Sequence, residues 1–548
     1  MEETIKRAIL KHALQNATSY KGKANEGSVL GKILAEFPEL KSQVKELVAD
    51  IRIIVTDVNK LSLNEQETKL EGFKDELKTK EHTKKELPEL PDMQERVVMR
   101  FAPNPNGPLS IGHARPALLN WFYVKEYGGK FILRFDDTDP KVKMPLKEAY
   151  KWILNDLKWL GIKPNKIVRQ SARLKIYYSY AEELIKLDKA YVCTCQIETK
   201  RKLLKEKKSC LCRDLNADEQ LKRWKKMFDG FKEGQAVLRI KTDLEHKNPA
   251  IRDWPAFRIV SKPKHPFSKA HVWPLLNFAS AIDDHELNVT CIIRGVDLEI
   301  AEYRQKYIYD YFGWDYPKTL LNGKLLVAGI RSTSQASKLI KAKKLNGWDD
   351  PRLGTLMALR RRGFQADAVV EFIKELGLNK AGIQVSMENL SACNKKLVEK
   401  SNRYFFVWDP KAITIENAPK MFIKLQSHPD CKERSFRRFT TTQKFFVSDK
   451  IEKGKIYRLI GLFNFKDKRF ISQDHKIELN AILIHWLPAD KKQYLHAEIV
   501  MTDNSVRKGL VEKNISKVKI GDVVQFQRFG FCRLDSKGKT YRFYFGHR

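Results

Sequence analysis

No stretch of this sequence reaches the roughly 20 consecutive apolar residues of a membrane-spanning helix, so a spanning protein is not expected. Met1-Glu2-Glu3-Thr4 opens acidic, without the apolar core of a secretory signal. Cysteine is scarce. Eight in 548 residues make no disulfide framework, and the expectation is a reducing cytoplasm. The other shortage is acid: 67 Asp and Glu against 103 Lys and Arg, a net charge of +36 and a pI near 9.7. Such an imbalance points to a polyanionic partner held by steering and counterion release, although a basic proteome or a salt adaptation would give the same count. The length admits roughly three to five domains.

What is present is organised around Arg100 to Pro140. An apolar run, Val97 to Ala102, enters the turn Pro103-Asn104-Pro105-Asn106-Gly107. A helix follows that opens Ser110-Ile111-Gly112-His113 and repeats apolar residues at helical spacing through Leu118, Trp121 and Phe122. Strand, turn and helix N-terminus in this order form a phosphate site: unpaired N–H groups and the helix dipole converge on an anion, Gly112 leaves room for a nucleotide, and His113 can donate to phosphate. A second buried-looking strand, Phe131 to Phe135, ends in Asp136-Asp137-Thr138-Asp139-Pro140, three carboxylates where open α/β sheets bind ligands. Then come an amphipathic helix (Leu146, Tyr150, Ile153, Leu157, Leu160), a short strand at Ile167-Val168 and a helix from Tyr177 to Leu187. This alternation predicts a doubly wound parallel sheet.

Together these segments closely resemble the class I aminoacyl-tRNA synthetases of the glutamyl and glutaminyl branch. There a strand carrying Arg, then Ala-Pro-x-Pro-x-Gly, a His-Ile-Gly-His helix and Arg-x-x-Asp-Thr-Asp make the ATP and amino-acid pocket. The match is nearly residue for residue, with Ser110 standing where the first His of the helix motif would. The resemblance implies a multidomain α/β protein. Its Rossmann-type sheet would come in two halves, 93–192 and 272–330, around an acceptor-binding insertion at 193–271. A signature loop and stem-contact helices would follow at 331–402, and two anticodon-binding antiparallel β-barrels at 403–548. Residues 1–92 would be an N-terminal helical domain and a charged linker.

From Ile5 to about Leu61 apolar residues recur at helical spacing, and the loop Tyr20 to Asn25 resembles the N-terminal extension of archaeal-type glutamyl-tRNA synthetases. Contact with tRNA and docking of a protein partner both stay open for it. From Glu65 to about Glu95 mixed charge, Pro88 and Pro91 read as a linker with one solvated helix. In the insertion, Cys193-Thr194-Cys195 and Cys210-Leu211-Cys212 can set four thiolates around one zinc ion, and four reduced cysteines without metal are the alternative. The tail alternates in short runs such as Tyr404-Phe405-Phe406-Val407 and Val523-Val524-Gln525-Phe526, which predicts antiparallel β barrels. Bacterial glutamyl enzymes end in helices, so this tail resembles the archaeal glutamyl and the glutaminyl enzymes.

Site residues follow from the resemblance. ATP, with magnesium on its phosphates, would lie against Pro108, Gly112, His113 and Ser332-Thr333-Ser334-Gln335. Gln335 stands where the signature loop has a Lys; Arg331 or Lys338 would then supply the positive charge. Glutamate would lie against Arg100, Ala102, Asn104, Asp136, Trp273, Asn277 and Arg294, with Trp273 replacing an expected Tyr. An ion pair with Asp297 is the alternative for Arg294. Activation needs no protein nucleophile, only positioning and neutralisation, so His113, Arg331 and Lys338 are the catalytic candidates. Arg100 and Arg294 would grip the two carboxylates of glutamate from opposite walls, and Asp136 and Asn104 its ammonium. Arg360, Arg361, Arg362 and Arg528 would meet tRNA phosphates. The expected function is ligation of glutamate to tRNA(Glu), with tRNA needed for activation and charging of tRNA(Gln) left open. A glutaminyl enzyme is the runner-up, disfavoured because its turn usually reads Pro-Pro-Glu-Pro-Asn-Gly. A catalytically impaired tRNA-binding paralogue, with Ser110 and Gln335 as lesions, is the third reading.

Overall fold

The structure, a computed structural model, describes residues 3–19, 22–37, 39–40, 44–73, 87–90, 96–327, 333–431, 436–474 and 477–548. The chain divides into two units, Met1–Lys84 and Lys85–Arg548.

The first unit is helical, as its periodicity predicts: α1 Glu3–Ser19, α2 Glu26–Glu36, α3 Val44–Lys60 and α4 Leu63–Glu71. Ile9, Leu14, Ile33, Ile51 and Val55 meet in its core. The linker expected from Glu65 starts too early. Ser62 and Glu65 form a reciprocal capping box, and the fully buried Gln66 donates to the carbonyls of Gly22, Val58 and Leu61. Phe73 joins the same core, so α4 is anchored to the unit along one edge while most of its residues stay exposed, as expected of a solvated helix. Nor is Pro88 loose. Its carbonyl accepts from Tyr123 Oη at 2.9 Å, and Leu90 is buried in the core of the second unit.

In the second unit β1 (Val98–Phe101), β2 (Lys130–Phe135) and β3 (Lys166–Arg169) alternate with α5 (Ile111–Glu126) and α6 (Lys147–Trp159). After α7 (Leu174–Lys186) the chain leaves the sheet and builds a four-stranded antiparallel one from β4 (Ala190–Cys193), β5 (Val237–Ile240), β6 (Pro255–Ile259) and β7 (Val272–Pro274), with α8 (Ile197–Lys205) and α9 (Ala217–Asp229) between β4 and β5. It then returns through α10 (Leu276–Glu286) to β8 (Cys291–Gly295), α11 (Glu299–Phe312) and β9 (Lys318–Asn322). The parallel sheet has order β3-β2-β1-β8-β9, so the strand order reverses between β1 and β8. Val272–Pro274 was expected in this sheet and is instead the last strand of the insertion, while Ala190–Cys193 is its first. Both are buried, and a buried apolar run does not reveal which sheet it joins.

The register gives the sheet two unlike faces. Met99, Phe101, Phe131, Leu133 and Ile293 pack with α5 and with the helices Ala366–Leu376 and Met387–Val398. Ile132, Val168 and Ile292 point the other way. At the carboxyl end this second face carries Arg100, Arg134 and Arg294.

The tail forms two β modules with separate cores. A seven-stranded sheet takes Arg403–Tyr404 and Phe406–Trp408 together with strands from 494–547, while 411–488 builds the other module. Phe405 and Phe406 point into different cores. Among the described residues pairing is mainly antiparallel, as expected, with three parallel pairs where the chain crosses between neighbours.

Candidate active site

Each functional strand delivers its side chain at the reversal of strand order, where open sheets leave a crevice. Pairing of Arg100 with Ile132 and of Met99 with Cys291 places Arg134 and Arg294 opposite Ala102, one on each side. Arg100 and Arg294 therefore share one face of adjacent strands, roughly 8 Å apart by strand spacing and rise. The expectation of opposite walls is corrected: the side-chain period of two puts both on the same side.

Acids from α10 meet these cations. Asp284 accepts from Arg134 Nη1 at 2.6 Å and Arg100 Nε at 3.1 Å; Asp283 accepts from Arg173 Nε at 2.6 Å and Tyr177 Oη at 2.7 Å. Arg134 Nε reaches Asp136 Oδ1 at 2.7 Å. Burial alone would raise Asp284; Arg100 and Arg134 overcome it and hold the carboxyl low. For Asp136 burial wins over Arg134, and its pKa rises to about 6. Asn104 Nδ2 donates to the Asp136 carbonyl at 2.9 Å, leaving its buried Oδ1 without a partner.

Arg294 makes no pair with Asp297. It donates to Gln305 Oε1 at 2.6 Å, Tyr316 Oη at 2.8 Å and the Leu298 carbonyl at 3.3 Å, all neutral oxygens. Burial, with Arg100 nearby, pulls its pKa down. Trp273 does not line this crevice: it is fully buried in the insertion's core with its indole N–H on the Ala270 carbonyl at 2.6 Å. Asn277, half-buried, lies two turns before Asp284 on the same face of α10.

At the start of α5, Ile111 N–H is taken by the Gly354 carbonyl and His113 N–H by Ser110 O, which leaves Gly112 as the open amide of the first three. A Cβ added at Gly112 would meet only Ser110 Oγ at 3.7 Å, so the space beside it is free, as expected. Ser110 N–H donates to His113 Nδ1 at 3.2 Å; Nδ1 being the acceptor, the proton is assigned to Nε2, and burial keeps the ring neutral by lowering its pKa. Ser110 thus orients the imidazole that remains. A Cβ at Gly107 would be 2.9 Å from Thr333, so the turn abuts the first residue of the helix Thr333–Lys341. Ala336 is buried under that helix, while Ser334, Gln335 and Lys338 are exposed. Arg331 and Ser332 lie outside the described residues. Pro108 is buried beside the same turn.

The arginine triplet is not a row facing phosphates. Arg362 is buried, donating to the Gly546 carbonyl at 2.7 Å; Arg361 bonds Asp349 at 2.8 Å and Asp535 at 3.1 Å and stacks over Tyr544. Both tie the helix Leu356–Arg361 and its C-cap to the seven-stranded module. Arg360 keeps an exposed edge beside Asp156, and Arg528 is exposed, 3.7 Å from Asp449.

In the insertion the sulfurs of Cys193, Cys195, Cys210 and Cys212 all lie within 4.8 Å of one another. Cys195 and Cys212 are 3.8 Å apart, the edge of a tetrahedron with Zn–S bonds of about 2.3 Å. A hydrogen bond from Cys193 and the ammonium of Lys200 pull Cys210 down to about 4. The donor set fits zinc.

Sequence reasoning met Arg134 only as the first residue of the Arg-x-x-Asp-Thr-Asp motif and assigned no role to Asp283, Asp284 or Lys200. The signal for Arg134 was available: an arginine inside the run Phe-Ile-Leu-Arg-Phe must find buried hydrogen-bond acceptors.

The pattern of tRNA synthetases class I (E and Q), catalytic domain, matches residues 96–400. Anti-codon binding domains of the same class match 401–484 and 483–535. The glutamate–tRNA ligase of Pyrococcus abyssi is 49% identical over 97% of this chain and 97% of its own length, and that of Methanocaldococcus jannaschii is 45% identical over 97% and 98%. A crystal structure of a glutamate tRNA ligase from Elizabethkingia meningosepticum, in complex with its amino acid, aligns at a TM-score of 0.43 and 23% identity, over 56% of this chain and 70% of that one. With the crevice at the strand reversal and two anticodon-binding matches behind it, the chain belongs to the class I tRNA synthetases for glutamate and glutamine, in the glutamate–tRNA ligase family.

Proposed function

We propose that this chain ligates L-glutamate to tRNA(Glu) through glutamyl-adenylate. An oxygen of the α-carboxylate attacks the α-phosphorus of ATP as the bond to pyrophosphate breaks. The terminal ribose hydroxyl of tRNA then attacks the acyl carbon, and AMP leaves. Neither step asks the protein for a nucleophile; both ask it to hold and neutralise.

Arg294 carries the reading. A buried guanidinium bound only to neutral oxygens keeps its charge for a ligand, and a carboxylate is the group that suits it. Arg100 takes the second carboxylate with the edge that Asp284 leaves open, above Ala102. Asp136 and the unpartnered Oδ1 of Asn104 receive the ammonium, with Asn277 on the wall behind. The Gly112 amide and His113 Nε2–H meet the phosphates near Pro108. Lys338, one turn from Gln335 on the same exposed face, stands in with Arg331 for the missing loop lysine, and Ser332, Thr333 and Ser334 complete the edge. Magnesium on the phosphate oxygens supplies further neutralisation. Cys193, Cys195, Cys210 and Cys212 would hold zinc, which would brace the insertion. Arg360 and Arg528 meet tRNA from the surface, and tRNA is required for activation. Among the described residues no helix is long and apolar enough to cross a membrane; a cytoplasmic site of action belongs to the same proposal.

Pyrophosphate exchange with tRNA present tests this directly. Exchange with glutamate, followed by glutamylation of tRNA(Glu), is expected. Stronger exchange with glutamine would assign the chain to the glutaminyl side, and tight tRNA binding without exchange would make it an inactive paralogue. The same charging assay with tRNA(Gln) defines its range of acceptors.

A further inference from the structure

Lys200 has no part in the ligation, yet it is among the most enclosed cations of the protein. It sits on α8 between the two cysteine pairs, 1% exposed, with Nζ 3.5 Å from Cys210 Sγ, 3.4 Å from Asp253 Oδ2 and above the ring of Tyr191. A buried ammonium is costly unless an anion accompanies it. Asp253 is not that anion alone: its carboxylate also accepts from Tyr191 Oη at 2.6 Å and Thr242 N–H at 3.1 Å, and lies 3.2 Å from Arg213 Nε. Arg213 already balances it. The surplus positive charge therefore faces sulfur. On the rim Arg223 Nη1 donates to Cys212 Sγ at 3.5 Å, sharing its charge with Glu219 at 3.3 Å.

Four thiolates around one divalent ion leave two negative charges inside the protein. Four neutral thiols would leave Lys200 with a share of Asp253, which Arg213 already balances, and otherwise only weak sulfur acceptors. The arrangement closes electrically when an anionic centre is present.

We propose that Lys200, seconded by Arg223, is the charge-compensating N–H···S donor of a zinc tetrathiolate centre, and that it retains the ion by making the sulfurs poor nucleophiles. This rests on the zinc reading given above. From there the consequence is kinetic: electrophiles attack bound thiolate in proportion to its electron density, and an ammonium donated to sulfur lowers that density.

The test uses the full-length protein loaded with zinc and, in parallel, with cobalt. Zinc release is followed with a chromophoric chelator under attack by an aromatic disulfide. Lys200→Met is expected to release zinc ~10-fold faster than the wild type, and Lys200→Arg, which keeps the charge, to stay within ~3-fold of it. A Lys200→Met protein that binds zinc and releases it at the wild-type rate overturns the proposal, as does Lys200→Arg matching the lability of Lys200→Met. Should Lys200→Met fail to fold, Arg223→Gln on the rim reads the same property: release ~3-fold faster supports the proposal and an unchanged rate overturns it. A wild-type protein that takes up no zinc and shows no tetrathiolate cobalt spectrum defeats the zinc reading itself, before either variant is compared.

Discussion

Arg134 and Arg294 flank Ala102 from the two neighbouring strands, at the same height in the sheet and on the same face. Arg134 is surrounded by carboxylates, and after the cost of burial Asp136, Asp284 and Asp283 still drive its pKa well above the ordinary arginine value. Arg294 has oxygens of glutamine, tyrosine and backbone, and its pKa falls. The same residue type at equivalent positions thus does two jobs. One is saturated and holds the sheet's end to α10; the other is hydrogen-bonded into place but left electrostatically incomplete. The lesson is that a buried cation is read by the charge of its partners, not by its burial.

The sharpest way to break this comparison is to remove the saturated partner. Arg134→Met leaves buried carboxylates short of a counter-charge and is expected to destabilise the second unit by about 3–5 kcal/mol, measured as a lower urea midpoint. Arg294→Gln should spare that midpoint and reduce kcat/KM for glutamate by ~10²–10³-fold, with KM for ATP within ~2-fold. An equal loss of stability in both variants would erase the distinction. A third test uses pH. Above about 6 the Asp136 carboxyl is ionised and attracts ammonium; below it the group is neutral. So kcat/KM for glutamate should fall ~10-fold per pH unit on the acid side of 6, and Asp136→Asn should remove that limb. The smallest effect concerns the outer cations. Gln335→Lys is expected to raise the exchange rate by ~3-fold and Lys338→Ala to lower it by a similar factor, read in single-turnover kinetics.

The proposed phosphate side of the pocket was legible because its signals are local. The strand, the Pro-Asn-Pro-Asn-Gly turn, Gly112 and His113 lie within about 20 residues, and their spacing alone predicts an anion site. The proposed amino-acid side was legible only in part. Asp283 and Asp284 lie about 150 residues from Arg134, and no periodicity reports on a partner so distant. Trp273 was misplaced for a related reason: a short buried strand looks the same whether it belongs to the parallel sheet or to the insertion. The arginine triplet illustrates a third gap. Its charge was visible, but Arg361 and Arg362 are taken up by Asp535 and the Gly546 carbonyl, acceptors supplied by the far end of the chain.

The crossing of the chain between the two tail modules bears on how the protein is made. Trp408 pairs with Gly509, so a strand synthesised early waits for roughly 100 further residues before its neighbour exists. Meanwhile Phe406 has few of its hydrophobic neighbours, whereas Phe405 has most of its own, all but Leu510 and Tyr494, once 411–488 has emerged. The middle module is therefore the one able to mature on the ribosome, and the seven-stranded sheet closes last. During that interval an unpaired strand edge is exposed, and this is the stage at which a nascent chain has most need of a chaperone.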